Sequence, residues 1–103
     1  MYNILLVCSA GMSTSLLVTK MQNAAKDKGI EANINAIAES DLKNSTEGVD
    51  VLLLGPQVRY MLSKVRTLME PKGVPVDVIN SVDYGTMNGT KVLDQAISLI
   101  SGK

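Results

Sequence analysis

The sequence predicts a single α/β domain, an open four-stranded parallel sheet of strand order 2-1-3-4 with helices on both faces. Three observations lead there. A chain of 103 residues makes one domain and leaves no length for a second. Apolar runs of strand length alternate with segments of helical period, and strands that alternate with helices pair in parallel through right-handed crossovers. Two of the strand candidates are apolar along their length and two alternate apolar with polar residues. The first kind is buried on both faces and central, and the second lies at an edge.

Residues 2–7 are a short apolar run and give the first central strand. After a polar loop from Ser9 to Ser13, residues Thr14, Leu17, Met21, Ala24 and Lys28 fall along one helical face, which Leu16 and Ala25 widen. Lys28-Gly29 supplies the stop. Residues 31–37 alternate with period two and predict an edge strand with one partly solvated face. Residues 40–44 make a short helical turn that Glu47-Gly48 ends. Residues 51–54 are the second fully apolar strand, broken by Gly55-Pro56. Pro56 suits the first position of a helix, where its missing N–H would be unpaired anyway. Val58, Met61, Leu62, Val65, Leu68 and Met69 keep the i, i+3, i+4, i+7 spacing of one amphipathic helix, closed by Pro71-Lys72-Gly73. Residues 76–79 alternate again as the fourth strand. Past residues 81–89, the spacing of Val92, Leu93, Ala96, Ile97 and Ile100 predicts a last helix.

Composition narrows the function. Ten basic residues balance ten acidic ones, and zero net charge argues against a nucleic-acid binder, which needs a basic excess to displace counterions. The absence of histidine excludes a His-ligated metal, a Ser-His dyad and a histidine general base. Cys8, the one cysteine, can neither close an internal disulfide nor build a multi-cysteine zinc site, which suits a reducing cytosol. Tyr2, Tyr60 and Tyr84 are too few for a base-stacking platform. The apolar start running into Cys8 looks superficially like a lipoprotein signal. It lacks a basic n-region, however, and its apolar run is about half the shortest h-region. No stretch approaches the roughly 20 apolar residues of a membrane span. A cytoplasmic protein is expected.

In an open α/β sheet the crevice lies beyond the carboxyl ends of the strands, where the winding reverses. For this order that point is between strands one and three, and Cys8 emerges there. The segment from Cys8 to Ser15 carries four hydroxyls, on Ser9, Ser13, Thr14 and Ser15, and Gly11 can take the positive φ of an anion-cradling loop. The helix that follows offers unpaired N–H groups and its positive dipole end to a phosphate. The same groups favour a thiolate, so Cys8 is expected to be a nucleophile held at the mouth of a ring of amides. No acidic residue lies between Met1 and Lys26 to repel a dianion. The plain alternatives are a small buried hydrophobe at a strand end for Cys8 and ordinary helix capping for Ser13 or Thr14. The loop is neither G-x-x-x-x-G-K-[ST] nor G-x-G-x-x-G. Cysteine-dependent phosphatases place a nucleophile here in C-x5-R, but the position of that arginine is Thr14. Without its charge the transition state of hydrolysis is poorly stabilised. Such a site is a carrier.

Two stretches then carry a resemblance. Residues 8–17 (Cys-Ser-Ala-Gly-Met-Ser-Thr-Ser-Leu-Leu) and 53–62 (Leu-Leu-Gly-Pro-Gln-Val-Arg-Tyr-Met-Leu) resemble the IIB component of the bacterial sugar phosphotransferase system, lactose/cellobiose/chitobiose type. The resemblance covers nearly the whole chain, including Val78-Ile79-Asn80-Ser81 and Tyr84-Gly85. It implies a protein-phosphohistidine–sugar phosphotransferase with a phosphocysteine intermediate. Cys8 would take a phosphoryl group from a phosphohistidine of IIA and pass it to a β-glucoside or disaccharide bound by the membrane transporter IIC. The chain would then work at the membrane surface through IIC. By the same resemblance the phosphate loop is Ser9, Ala10, Gly11, Met12, Ser13, Thr14 and Ser15, with backbone amides as ligands. No metal or organic cofactor is implied, and a carrier that docks two partners in turn is expected to be a monomer.

Further candidates come from position. Gln57 and Arg59 open the helix after the other central strand and can reach phosphate or partner, the alternative being a solvated helix face. Tyr84 follows the fourth strand on the same side and can cover the loop. Asp83 stands where a phosphatase keeps its general acid, but a turn-forming aspartate is the better reading. Met12 and Leu16 suit an apolar docking spot, while Met61 and Met69 read as core. Two rivals share these features. One is a low-molecular-weight phosphatase or arsenate reductase, which has this general topology but needs the arginine or resolving thiols missing here. The other is a regulatory phospho-sensor domain.

Overall fold

The computed structural model describes residues 2–8, 12–44 and 48–102; the side chains of 12–14, 43 and 44 lie outside that description. Strand β1 (Tyr2–Cys8) leads to helix α1 (Met12–Asp27), and β2 (Ala32–Ala38) to a 3-10 segment, η1 (Glu39–Asn44). Strand β3 (Val51–Leu54) is followed by a second 3-10 segment, η2 (Pro56–Met61), and then by α2 (Leu62–Met69). Strand β4 (Val76–Val78) precedes the short helix α3 (Ser81–Gly85), and α4 (Gly89–Ser101) ends the described chain. All strand pairs are parallel, in the order β2-β1-β3-β4, as the strand patterns predict.

The alternation of side chains across the pleat divides β1 and β3 between two cores. Ile4, Leu6, Val51 and Leu53 face α1 and α4, where they meet Leu17, Met21, Val92, Leu93 and Ala96. Leu5, Val7, Leu52 and Leu54 face the other way, onto Leu42, Val58, Val65 and Met69. Each such side chain, fully buried, contributes about 1.5–3 kcal/mol. Double-sided burial is why these two strands are central. Strand β2 contributes Ile34 to the α1 side, while Asn33 and Asn35 remain exposed, which makes it the half-solvated edge the alternation predicts.

Helix α1 stops where the sequence says it should. Gly29 takes a positive φ of 68°, its N–H reaches the Lys26 carbonyl, and the N–H of Ile30 reaches that of Ala25. This is a Schellman cap. At the start of α4, Gly89 lies against the α1 backbone so closely that a Cβ there would stand 2.5 Å from the carbonyl carbon of Lys20. Only a glycine lets the two helices approach to this distance.

Four expectations need correction. The helix predicted from Pro56 is two elements, because Val58 is non-helical (φ −118°, ψ 22°) where its side chain turns into the core. The α-helical part begins only at Leu62. Leu16 does not widen the buried face of α1 but is 52% exposed, and Ala25 alone of that pair is buried. Leu68 is 46% exposed, although it shares the period of Val65 and Met69. Its side chain lines an open groove of about 320 Å³ between η1 and α2, where no further element among the described residues covers the helix. The segment 81–89, expected as a connection, contains α3, capped by Asn80, whose Oδ1 accepts from the N–H groups of Val82 and Asp83.

Candidate functional site

The carboxyl ends of all four strands open onto one crest, and the candidate residues sit there. Cys8 is the last residue of β1, opposite Ala38 of β2. The N–H of Gly55 donates to the Val7 carbonyl at 2.8 Å, which carries the β1–β3 ladder one step past β3 and holds the start of η2 beside Cys8. Helix α1 opens at Met12 with no acidic residue in its first turn, so its positive end points at the segment leaving Cys8. Ser9, Ala10 and Gly11, the heart of the expected phosphate loop, lie outside the described residues, as do the side chains of Met12, Ser13 and Thr14. Ser15 is exposed in the first turns of α1, and its carbonyl accepts from the Thr19 hydroxyl at 3.2 Å.

The thiol itself departs from expectation. Cys8 is 0% exposed, not displayed at the surface. Its Sγ lies 3.9 Å from the Ile37 carbonyl, a long contact in which the thiol is a weak donor. A small side chain at the last paired position of a central strand has neighbours on both flanks, and the pleat turns it to the α1 side with Ile4 and Leu6.

Two hydrogen bonds join side chains that leave different strands at this end. Gln57 Nε2 donates to the hydroxyl of Tyr84 at 3.0 Å, tying the exit of β3 to the exit of β4. The Gln57 side chain folds back over Gly55: a Cβ on that glycine would meet Gln57 Oε1 at 2.5 Å and the Val7 carbonyl at 3.5 Å. Glycine at 55 is therefore what lets Gln57 lie across the ends of β1 and β3. The second bond runs from the Tyr60 hydroxyl to Glu39 Oε2 at 2.9 Å, between η2 and the start of η1. Since Glu39 follows β2 and Tyr60 follows β3, this pair flanks the end of β1 from both sides. The bond to the Glu39 carboxylate raises the Tyr60 phenol above its ordinary range.

The structure thus brings together two residues that sequence position singled out separately, Gln57 and Tyr84. It leaves the Arg59 side chain exposed on η2, with no hydrogen bond or ion pair of its own among the described residues. Asp83 faces a different hollow, with Asn80, Lys91 and Asp94, while its backbone forms part of the α3 turn. That placement fits the turn-forming role and not that of a general acid at Cys8. Gly55, expected with Pro56 and Gln57 to line the crevice, does lie there, while sequence reasoning missed Glu39 and Tyr60. The available signal was positional: each follows a strand at the end where the crevice must lie. Val82, 70% exposed on α3, joins Leu16 and Tyr60 as a large apolar side chain open to solvent near this end.

Comparison with known proteins adds an independent observation. Residues 3–95 match the family model described as PTS system, Lactose/Cellobiose specific IIB subunit. The cellobiose-specific EIIB component of Lactococcus lactis subsp. lactis is 50% identical over 103 residues, covering 95% of either chain. The galactose-specific EIIB component of Lactococcus lactis subsp. cremoris is equally similar, at 50% over 103 residues and the same coverage. The solution structure of a cellobiose-specific phosphotransferase IIB component protein from Borrelia burgdorferi superposes with a TM-score of 0.81 at 50% identity, over 99% of this chain and 94% of that one.

Proposed function

The chain belongs to the lactose/cellobiose-specific IIB family of the sugar phosphotransferase system, and within that family we propose that it carries the phosphoryl group on Cys8. The observation that supports this reading is a coincidence of place. The single sulfur ends a central strand just before a helix N-terminus, and the Gln57–Tyr84 pair lies across the same strand ends.

In the first step the Cys8 thiolate attacks the phosphorus of a phosphohistidine on IIA. An S–P bond forms, the N–P bond breaks, and the imidazole keeps the electron pair. In the second, a hydroxyl of the sugar held by IIC attacks the same phosphorus. An O–P bond forms, the S–P bond breaks, the thiolate leaves, and the hydroxyl proton passes to a base at the acceptor. Phosphoryl transfer needs in-line positioning and dispersed charge stabilisation, which backbone N–H groups and a helix terminus supply. Thr14, where a phosphatase has arginine, keeps hydrolysis slow. The exposed Leu16, Tyr60 and Val82 give the two partners apolar contact around the crest. Since Cys8 is buried, either exchange requires its Sγ to become accessible to the incoming group.

The sugar is chosen elsewhere. Relatives of equal similarity carry different sugar names, cellobiose and galactose, and this chain's part of the reaction involves only the phosphoryl group. The test is intact-mass spectrometry after incubation with phosphorylated IIA. One phosphoryl adduct on the native chain and none on Cys8→Ser is expected. An adduct on both chains, or on neither, overturns the assignment. Rapid turnover of p-nitrophenyl phosphate would favour a phosphatase instead.

A further inference from the structure

Strand β4 is an edge of the sheet, and its inner side pairs with β3: the N–H of Ile79 donates to the Leu54 carbonyl, and that of Leu52 to the Pro75 carbonyl. Its outer side should present unpaired backbone groups, the usual liability of an edge. Here side chains meet them: Arg66 Nε donates to the Val76 carbonyl at 3.3 Å, the N–H of Val78 donates to Asp77 Oδ1 at 2.8 Å, and Gln95 takes the groups at the carboxyl end. Gln95 of α4 donates from Nε2 to the Val78 carbonyl at 2.9 Å and accepts at Oε1 from the N–H of Asn80 at 3.3 Å. A single primary amide thus makes both bonds that a residue of a fifth strand would make.

Asn80 is also the anchor of α3. Its Oδ1 accepts from the N–H groups of Val82 at 3.0 Å and Asp83 at 3.2 Å, and its carbonyl accepts from that of Tyr84 at 2.9 Å. Helix α3 spans only Ser81–Gly85 and fully buries none of its residues. A helix of that length does not hold itself together, because nucleation costs more than its few bonds return. Its far end is fixed with some strain: Met87 adopts a positive φ of 54°, and the N–H of Asn88 returns to the Asp83 carbonyl at 2.8 Å. The place of Tyr84, and with it the bond to Gln57, is therefore set by hydrogen bonds at the two ends of α3 together with the packing of Tyr84 and Met87 against the α1–α4 core. The end nearer the sheet is held by Gln95.

We infer that Gln95 is a positioning residue: by holding Asn80 at the outer edge of β4 it fixes α3 and so sets where the Tyr84 hydroxyl meets Gln57 across the strand ends. The functional part of this inference rests on the carrier reading above; the geometric part does not. Among the described residues the side-chain bonds of Gln95 go to the Val78 carbonyl and the Asn80 N–H, so its effect travels through α3.

The discriminating experiment uses Gln95→Met, which keeps the length of the side chain but makes neither bond, with Tyr84→Phe and the double variant. Circular dichroism checks that each is folded. In the native chain the side-chain amide resonances of Gln57 in a nitrogen-proton correlation spectrum report its bond to Tyr84, and Gln95→Met should shift them towards their positions in Tyr84→Phe. The rate of phosphoryl transfer from IIA should fall about fivefold, the order of one neutral hydrogen bond, with the apparent KM for phosphorylated IIA unchanged. The double variant should lose no more than Tyr84→Phe alone. Unmoved Gln57 resonances, or additive losses in the double variant, overturn the inference. If the native chain takes up no phosphoryl group the carrier reading fails, and the Gln57 resonances still decide whether Gln95 acts through α3.

Discussion

The α1–α4 face of the sheet and the crest at its carboxyl end are built from the same strands by different means. On the face, Ile4, Leu6, Leu53, Leu17, Met21, Val92, Leu93 and Ala96 are buried apolar side chains, and the helices meet closely enough to exclude a Cβ at Gly89. At the crest the elements are short and partly 3-10, and Gln57 and Tyr60 stand in solvent. Beyond the buried Val58 and the packing of Tyr84 on the α1–α4 core, what links them is side-chain hydrogen bonding, Gln57 to Tyr84 and Tyr60 to Glu39. Close packing stores stability and tolerates no movement. Exposed hydrogen bonds are worth little each and break readily, which suits the proposed carrier role, in which two partners would take turns at a buried sulfur. On the proposed function, stability and transfer are lodged in separable residues.

The largest effect belongs to the face. Leu53→Ala removes a fully buried side chain from the centre of β3 and should cost about 3–5 kcal/mol in chemical denaturation. The fraction still folded should transfer phosphate at the native rate. A transfer defect beyond the unfolded fraction would break the separation, because it would show that packing on this face governs the crest.

The second effect is the converse. Gln57→Ala deletes the bond to Tyr84 from an exposed position and should change stability by less than about 1 kcal/mol. Phosphoryl transfer through Cys8 should nonetheless slow by about tenfold, equivalent to some 1.4 kcal/mol in the barrier. Single-turnover transfer from IIA beside a thermal melt measures both. A variant that melts much earlier and transfers normally would reverse the assignment of the two regions.

The same division explains what the sequence made legible. Strand order was readable because residues 51–54 are apolar without interruption while 31–37 alternate, and burial on two faces or one follows directly from that. Leu16 and Leu68 were misread because helical period reports which residues share a stripe, not where the covering neighbour ends. Leu68 lies on its stripe beside an open groove. Cys8 was legible in place and not in exposure, since the depth of a strand end depends on its flanking strands. Helix α3 was missed because five residues are too few to show a period, although Asn80 was a capping signal in plain view. Gln57 and Tyr84 were each readable as residues at the right end of the sheet. Their bond was not, because it depends on Gly55 letting the Gln57 side chain fold back. The expected phosphate loop at Ser9, Ala10 and Gly11 falls outside the described residues, so its amides rest on the chemistry of the segment alone.

The smallest effect tests the crest bond that sequence did not suggest. Tyr60 donates to the Glu39 carboxylate, which favours the neutral phenol and raises its pKa. A group whose folded value lies above its unfolded one adds stability that is fully present below the unfolded value. That stability is lost as pH rises through the folded value. The bond should therefore be intact across the neutral range and released only in alkali, above the ordinary tyrosine range. Following phenolate absorbance, the native chain should show one tyrosine ionising later than in Glu39→Gln, and that late component should be missing from Tyr60→Phe. Because Tyr60 is 72% exposed, the melting temperature of Glu39→Gln at neutral pH should barely differ from native. A large drop would mean that this bond holds the end of β1 closed, and the crest would then share in the stability assigned here to the face.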